Sequence, residues 1–263
     1  MDLGLRGKVA LVSAASRGLG RAIADALAAD GASLLICARG ADALEEARNA
    51  IAKRSGVEVE MVVADVSSEE GIARLWQRAR DHFGHVDVLV TNAGGPPSGP
   101  LESLEWESWQ RAVEVTLRSA VELTRLVLPG MKERRWGRIL NVTSIAVKQP
   151  VDGLMLSNSL RAAVTGFART LANEVAPYGI TVNNIMPGYT RTERVEELNA
   201  ATAAREGITI DDVAHRIEAQ IPMRRLGEPQ ECAALAAFLA SEQASYITAQ
   251  SIAVDGGWIR SVL

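Results

Sequence analysis

Lysine and histidine are scarce in this chain of 263 residues: the lysines are Lys8, Lys53, Lys132 and Lys148, and the histidines His82, His85 and His215. His82 and His85 flank a helix end and His215 is distant. With no cysteine or carboxylate cluster beside them, a metal site is not expected. The two cysteines, Cys37 and Cys232, lie far apart in apolar surroundings. Two such thiols fit a reducing cytoplasm better than a disulfide framework. Aromatic residues make up only 4% of the chain, so aliphatic side chains must build the core. No apolar run is long enough to span a bilayer, and the start of the chain lacks the apolar stretch of a signal peptide. The net charge of −4 gives no reason to expect nucleic acid or a membrane surface as a partner. No Gly-x-Ser-x-Gly elbow occurs, which removes support for a serine hydrolase.

What is present is a regular alternation. The apolar runs Val9–Val12, Leu34–Ile36, Val59–Val63, Val86–Val90, Arg138–Val142, Ile180–Val182 and Ser251–Val254 read as strands. Helical patterns separate them, two of them long: Trp106 to Arg134 and Ser157 to Ala176. Continuous apolar strands separated by helices predict a parallel sheet covered on both faces. No linker, composition break or repeat divides the chain. The expectation is one α/β domain over residues 1–263: a doubly wound, Rossmann-like parallel sheet in three α/β/α layers. Residues 189–220 form the longest polar interruption and read as a helical insertion that sets substrate choice.

The first strand runs into Ser13-Ala14-Ala15-Ser16-Arg17-Gly18-Leu19-Gly20. A small-residue turn leading into a helix N-terminus offers free N–H groups and a favourable dipole to a pyrophosphate. Ser13, Ser16, Arg17, Gly18, Leu19 and Gly20 are therefore candidate cofactor residues, against the alternative of a bare strand-to-helix turn. After the second strand, an acid would select NAD through the ribose hydroxyls. This chain has Arg39 there, with Arg17 nearby, and two guanidinium groups favour the 2′-phosphate of NADP. Two ordinary surface arginines are the alternative. Asp65 and Val66 end the third strand, where a carboxylate can meet an adenine ring. Asn92, Ala93 and Gly94 end the fourth, at the edge where such sheets bind ligands.

Together with Leu128-Pro129-Gly130-Met131, Gly137 to Ser144, Ala176 to Asn183, Pro187-Gly188 and Val254-Asp255-Gly256-Gly257, these motifs resemble the short-chain dehydrogenase/reductase family from about Arg6 to Trp258. The flavour is similar to 3-oxoacyl-(acyl-carrier-protein) reductases. The resemblance implies NADPH as cofactor and Pro187, Gly188 and Thr192 as further cofactor contacts. It also implies a carbonyl substrate, small or carrier-bound, and pairing of the two long helices in a homotetramer or homodimer.

The departures bear on the chemistry. The nucleotide turn opens with Ser13-Ala14 where the family usually has Thr-Gly. Of the catalytic tetrad only Ser144 is kept: Thr116 stands for Asn, Ser157 for Tyr and Arg161 for Lys. A serine hydroxyl is a far weaker acid than a phenol, and an arginine cannot donate a proton at neutral pH. Ser157 and Arg161, four apart, share a helix face and can hold a ribose or an anionic substrate. Lys148 is the candidate replacement acid, on the expectation that it is desolvated beside Arg161. Tyr189 is a second. Two functions are compatible with these residues: a reductase with a degenerate tetrad, or a non-catalytic dinucleotide-binding partner subunit or sensor.

Overall fold

The computed structural model describes residues 2–262. Seven strands, β1 (Val9–Val12), β2 (Ser33–Ala38), β3 (Val59–Val63), β4 (Val88–Thr91), β5 (Gly137–Val142), β6 (Ile180–Pro187) and β7 (Ser251–Val254), form one sheet in the order β3-β2-β1-β4-β5-β6-β7. Every neighbouring pair is parallel. The helices are α1 (Gly18–Ala29), α2 (Ala41–Ser55), α3 (Glu69–Phe83), α4 (Trp106–Ala112), α5 (Ser119–Arg134), α6 (Met155–Val175), α7 (Glu193–Glu206), α8 (Ile210–Gln220) and α9 (Pro229–Ala240).

Burial on both faces explains the unbroken apolar strands. Along β1, Ala10 and Val12 join the core layer under α1, α2 and α9, whereas Leu11 joins the layer under α3, α5 and α6. β2 repeats this with Leu34 and Ile36 on one side and Leu35 and Cys37 on the other. The period of two therefore sorts side chains between two cores instead of between core and water. Each fully buried Leu or Ile contributes about 1.5–3 kcal/mol.

The chain winds outward from β1 to β3, then restarts at β4 on the other side of β1. Between β1 and β4 the strand order reverses, and a crevice opens at the carboxyl ends of the strands. Two sequence expectations shift here. β4 begins two residues later than expected, and the long helix from Trp106 is interrupted by a π-helical turn over Val113–Arg118. Residues 189–220 fold into α7 and α8 over the crevice mouth.

Candidate active site

The turn after β1 is tied to the end of β4 by short polar contacts. The Ser13 hydroxyl donates to the Asn92 carbonyl at 2.7 Å and accepts from the Asn92 amide at 2.9 Å. The Asn92 side chain donates to the Ala14 carbonyl at 3.3 Å. A Cβ on Gly20 would lie 2.2 Å from that same carbonyl, so only glycine lets α1 begin so close to the turn. Ala14 itself sits at φ +49°, a left-handed conformation that costs an alanine about 1–2 kcal/mol.

At the start of α1, Arg17 provides no side-chain cap and the first turn holds no acid. Its N–H groups remain available to an anion. Ser16 is half-buried beside them, and Leu19 packs on the core. Arg39 is exposed just past β2 and makes no hydrogen bond or ion pair among the described residues. Asp65 accepts from the Ser67 amide and hydroxyl at 2.9 and 2.8 Å, and Val66 is buried in the core. Gly94 has open space where a side chain would stand. Pro187 ends β6, and Gly188 lies so close to Asp255 that a Cβ would approach its Cα to 2.7 Å.

The first residues of α7 reach back across this crevice. The Thr192 methyl lies 3.7 Å from where a Gly18 side chain would begin. Glu193 pairs with Arg17. Arg194 donates from Nη2 to the Pro96 carbonyl at 2.8 Å, and its guanidinium lies against Gly95. Sequence reasoning missed Glu193 and Arg194. The only signal was their place in the polar stretch after Pro187-Gly188.

Deeper in the crevice, Arg161 is held by three acceptors. Its Nε donates to Ser157 Oγ at 3.2 Å, and its Nη1 donates to the carbonyls of Val142 and Thr143, both at 2.8 Å. Burial, with Arg194 nearby, lowers its pKa to about 10. Arg161 borders a cavity of about 20 Å³ with Thr91, Asn92, Ala93, Thr116 and Ser119, room for a single water-sized group. Thr116 sits in the π-helical turn, and its buried hydroxyl has no partner. π-Helical turns of this kind recur at functional sites.

Ser144 caps the 3₁₀ turn Ile145–Val147 by accepting from the Ala146 amide at 3.1 Å. Its hydroxyl hydrogen is left free to donate. Lys148 departs from expectation: it is exposed at the end of this turn, its amide donates to the Ile145 carbonyl at 3.0 Å, and its ammonium makes no hydrogen bond or ion pair among the described residues. The basis for treating it as a desolvated acid beside Arg161 is removed, because the 3₁₀ turn carries it outward. Tyr189 packs edge-to-face on Trp258 at 5.8 Å, and burial together with Asp152 raises its pKa, away from acid catalysis. Asn158 donates to the Val151 carbonyl at 3.0 Å and pins the intervening loop.

Asn141 belongs to a buried ladder across four strands. Thr91 Oγ1 donates to its side-chain oxygen at 2.7 Å, its Nδ2 donates to Asn184 Oδ1 at 3.0 Å, and Asn184 Nδ2 donates to Ser251 Oγ at 2.9 Å. Each step follows the strand register. His82 contacts Glu58, and His85 bridges the Phe83 carbonyl and Asp87.

Residues 13–259 match the family described as Enoyl-(Acyl carrier protein) reductase. The chain is 37% identical over 255 residues to the 3-oxoacyl-(acyl-carrier-protein) reductase FabG of Vibrio cholerae, covering 97% of this chain and 98% of that protein. It is 37% identical over 259 residues to the Pseudomonas aeruginosa enzyme of the same name, covering 98% and 100%. Among solved structures, the L-sorbose reductase of Gluconobacter frateurii in complex with NADPH and L-sorbose superposes with TM-score 0.95 at 34% identity, over all of both chains. An actinorhodin polyketide ketoreductase variant with NADPH gives TM-score 0.92 at 34% identity, covering 97% and 98%. On this similarity, together with its sheet order and crevice, the chain belongs to the short-chain dehydrogenase/reductase family of oxidoreductases.

Proposed function

We propose that this chain is an NADPH-dependent reductase of a carbonyl compound, of 3-oxoacyl-carrier type or a smaller relative, working with a degenerate tetrad. The uncapped α1 N-terminus carries this reading, since it fits a pyrophosphate, with Arg17 and the unpartnered Arg39 placed for a 2′-phosphate. Ser13, Ser16, Gly18, Leu19 and Gly20 would line the phosphates, Asp65 and Val66 the adenine, and Asn92, Ala93, Gly94, Pro187, Gly188 and Thr192 the nicotinamide half. Bound there, the cofactor would supply the hydride that reduces the carbonyl.

The residues around the carbonyl supply polarisation more than acidity. Ser144 donates a hydrogen bond to the carbonyl oxygen. Ser157 Oγ already accepts from Arg161, which leaves its own hydrogen to donate as well. Arg161 contributes a fixed positive charge as negative charge develops on that oxygen. The proton comes from water relayed through the Ser157 hydroxyl. Lys148 takes no part.

The test is a calorimetric titration with NADPH and NADH in parallel, followed by carbonyl-dependent NADPH oxidation across acyl-thioester, quinone and aldehyde substrates. Binding of NADPH over NADH with turnover supports the reading. Binding without turnover on any of them favours the sensor or partner-subunit reading, which the exposure of Lys148 supports by leaving the pocket without an amine acid. Assembly as a homotetramer or homodimer is part of the proposal. Trp106 on α4 is 68% exposed, a large apolar side chain available to a second copy, and sedimentation checks it.

A further inference from the structure

Arg161 is a half-buried cation that pairs with no carboxylate among the described residues; its acceptors are two carbonyls and a hydroxyl. Such a charge is costly unless an anion joins it. A second guanidinium faces the same crevice from above. Arg194 crosses from α7 to the loop after β4, where Pro96 accepts its hydrogen bond and the absent side chain of Gly95 gives it room. The carboxylate it pairs with among the described residues, Glu197, stands 3.4 Å away with 66% of its side chain exposed. A pair so placed is screened by water and leaves the crevice positive.

Cofactor phosphates do not account for this charge. They have the α1 N-terminus, Arg17 and Arg39, whereas Arg161 lies among Thr91, Thr116 and Val142, at the ends of the central strands. We propose that the preferred substrate is an oxo acid carrying a free carboxylate near its carbonyl, and that Arg194 is the residue that selects it. The proposal rests on the reductase reading above and, within it, selects a small free acid over a carrier-bound thioester. Arg194 supplies a planar pair of donors to the carboxylate, while Arg161 adds charge from beneath. A neutral ester or thioester of the same skeleton gains neither.

The test compares acetoacetate and levulinate with their methyl esters, using wild type, Arg194→Gln and Arg194→Lys. Wild type should prefer each acid over its ester in kcat/KM by about tenfold or more, the factor that one charge-assisted hydrogen bond supplies. R194Q should bring that ratio close to one and R194K should keep part of it. Equal use of acid and ester by wild type overturns the proposal. So does a loss of NADPH affinity in R194Q, which would assign Arg194 to a cofactor phosphate. If neither acid nor ester is reduced, the reductase reading is left to the wider substrate panel, and calorimetry on NADPH-loaded protein decides the anion site separately. Acid-selective binding lost in R194Q upholds the site, and unselective or absent binding overturns it.

Discussion

Arg161 and Ser157 form a single hydrogen-bonded unit, with Nε donating to Oγ at 3.2 Å from one helical turn away. The serine cannot accept a proton from this partner, and the arginine anchors on two backbone carbonyls. The unit therefore delivers charge without a group that titrates near neutrality.

That separation sets the pH profile. With Arg161 lowered to about 10 by burial and by Arg194, turnover should stay level from neutral pH to about 9. It should fall as pH passes about 10, where the guanidinium loses the proton that stabilises the developing alkoxide. Arg161→Gln should abolish this alkaline limb and lower kcat by about a hundredfold, comparable to loss of one oxyanion donor. A titration of kcat centred near neutrality in wild type would point to another acid.

Ala14 predicts a simple stability gain. Its φ of +49° is a conformation that glycine adopts freely, so Ala14→Gly should relieve about 1–2 kcal/mol of strain. Added freedom in the unfolded chain takes back about 0.4–1 kcal/mol. A net rise of about 1 kcal/mol in urea unfolding is the expected result, and a net loss would contradict it.

The Arg17–Glu193 pair places a carboxylate on a residue assigned to the cofactor phosphate. Glu193→Gln should therefore tighten NADPH binding several-fold and leave NADH less affected. Arg17→Gln should weaken NADPH and narrow the gap between the two cofactors. Calorimetry on both variants reads this directly, and unchanged affinity in both would remove Arg17 from the phosphate site.

Acid stability should depend on Glu231, whose pKa is lowered to about 2 by hydrogen bonds from Arg225 and from the Glu228 amide. A carboxyl depressed in the folded state contributes stability above its unfolded value, near 4.5, and loses it as pH falls toward 2. Thermal melts through that window should fall less steeply for Glu231→Gln than for wild type.

The sheet was readable because apolar strands on two covered faces have no polar positions to confuse them, as in β1 and β2. β6 was read too short for the opposite reason. Asn183 and Asn184 look like a strand end, yet both are buried, Asn183 donating to the Ile247 carbonyl and Asn184 accepting from Asn141 on the neighbouring strand. The break at Val113–Arg118 carries no compositional mark, since a π turn uses the same residues as the helix around it. The Ser157–Arg161 contact follows from helical spacing alone. The surroundings of Lys148 do not, because burial depends on which way a turn leaves the sheet. Arg194 was invisible for the same reason: its partner Pro96 lies 98 residues away.

The ladder from Thr91 to Ser251 has a direction. Its donors all point toward β7: the Thr91 hydroxyl to Asn141, the Asn141 amide to Asn184, and the Asn184 amide to Ser251. Bond dipoles lined up head to tail polarise one another. Their electron-rich end is the hydroxyl of Thr91, a residue that lines the same cavity as Arg161. Three side-chain bonds across four strands thus form one oriented dipole, whose negative pole lies on the cavity wall it shares with a guanidinium that pairs with no carboxylate among the described residues.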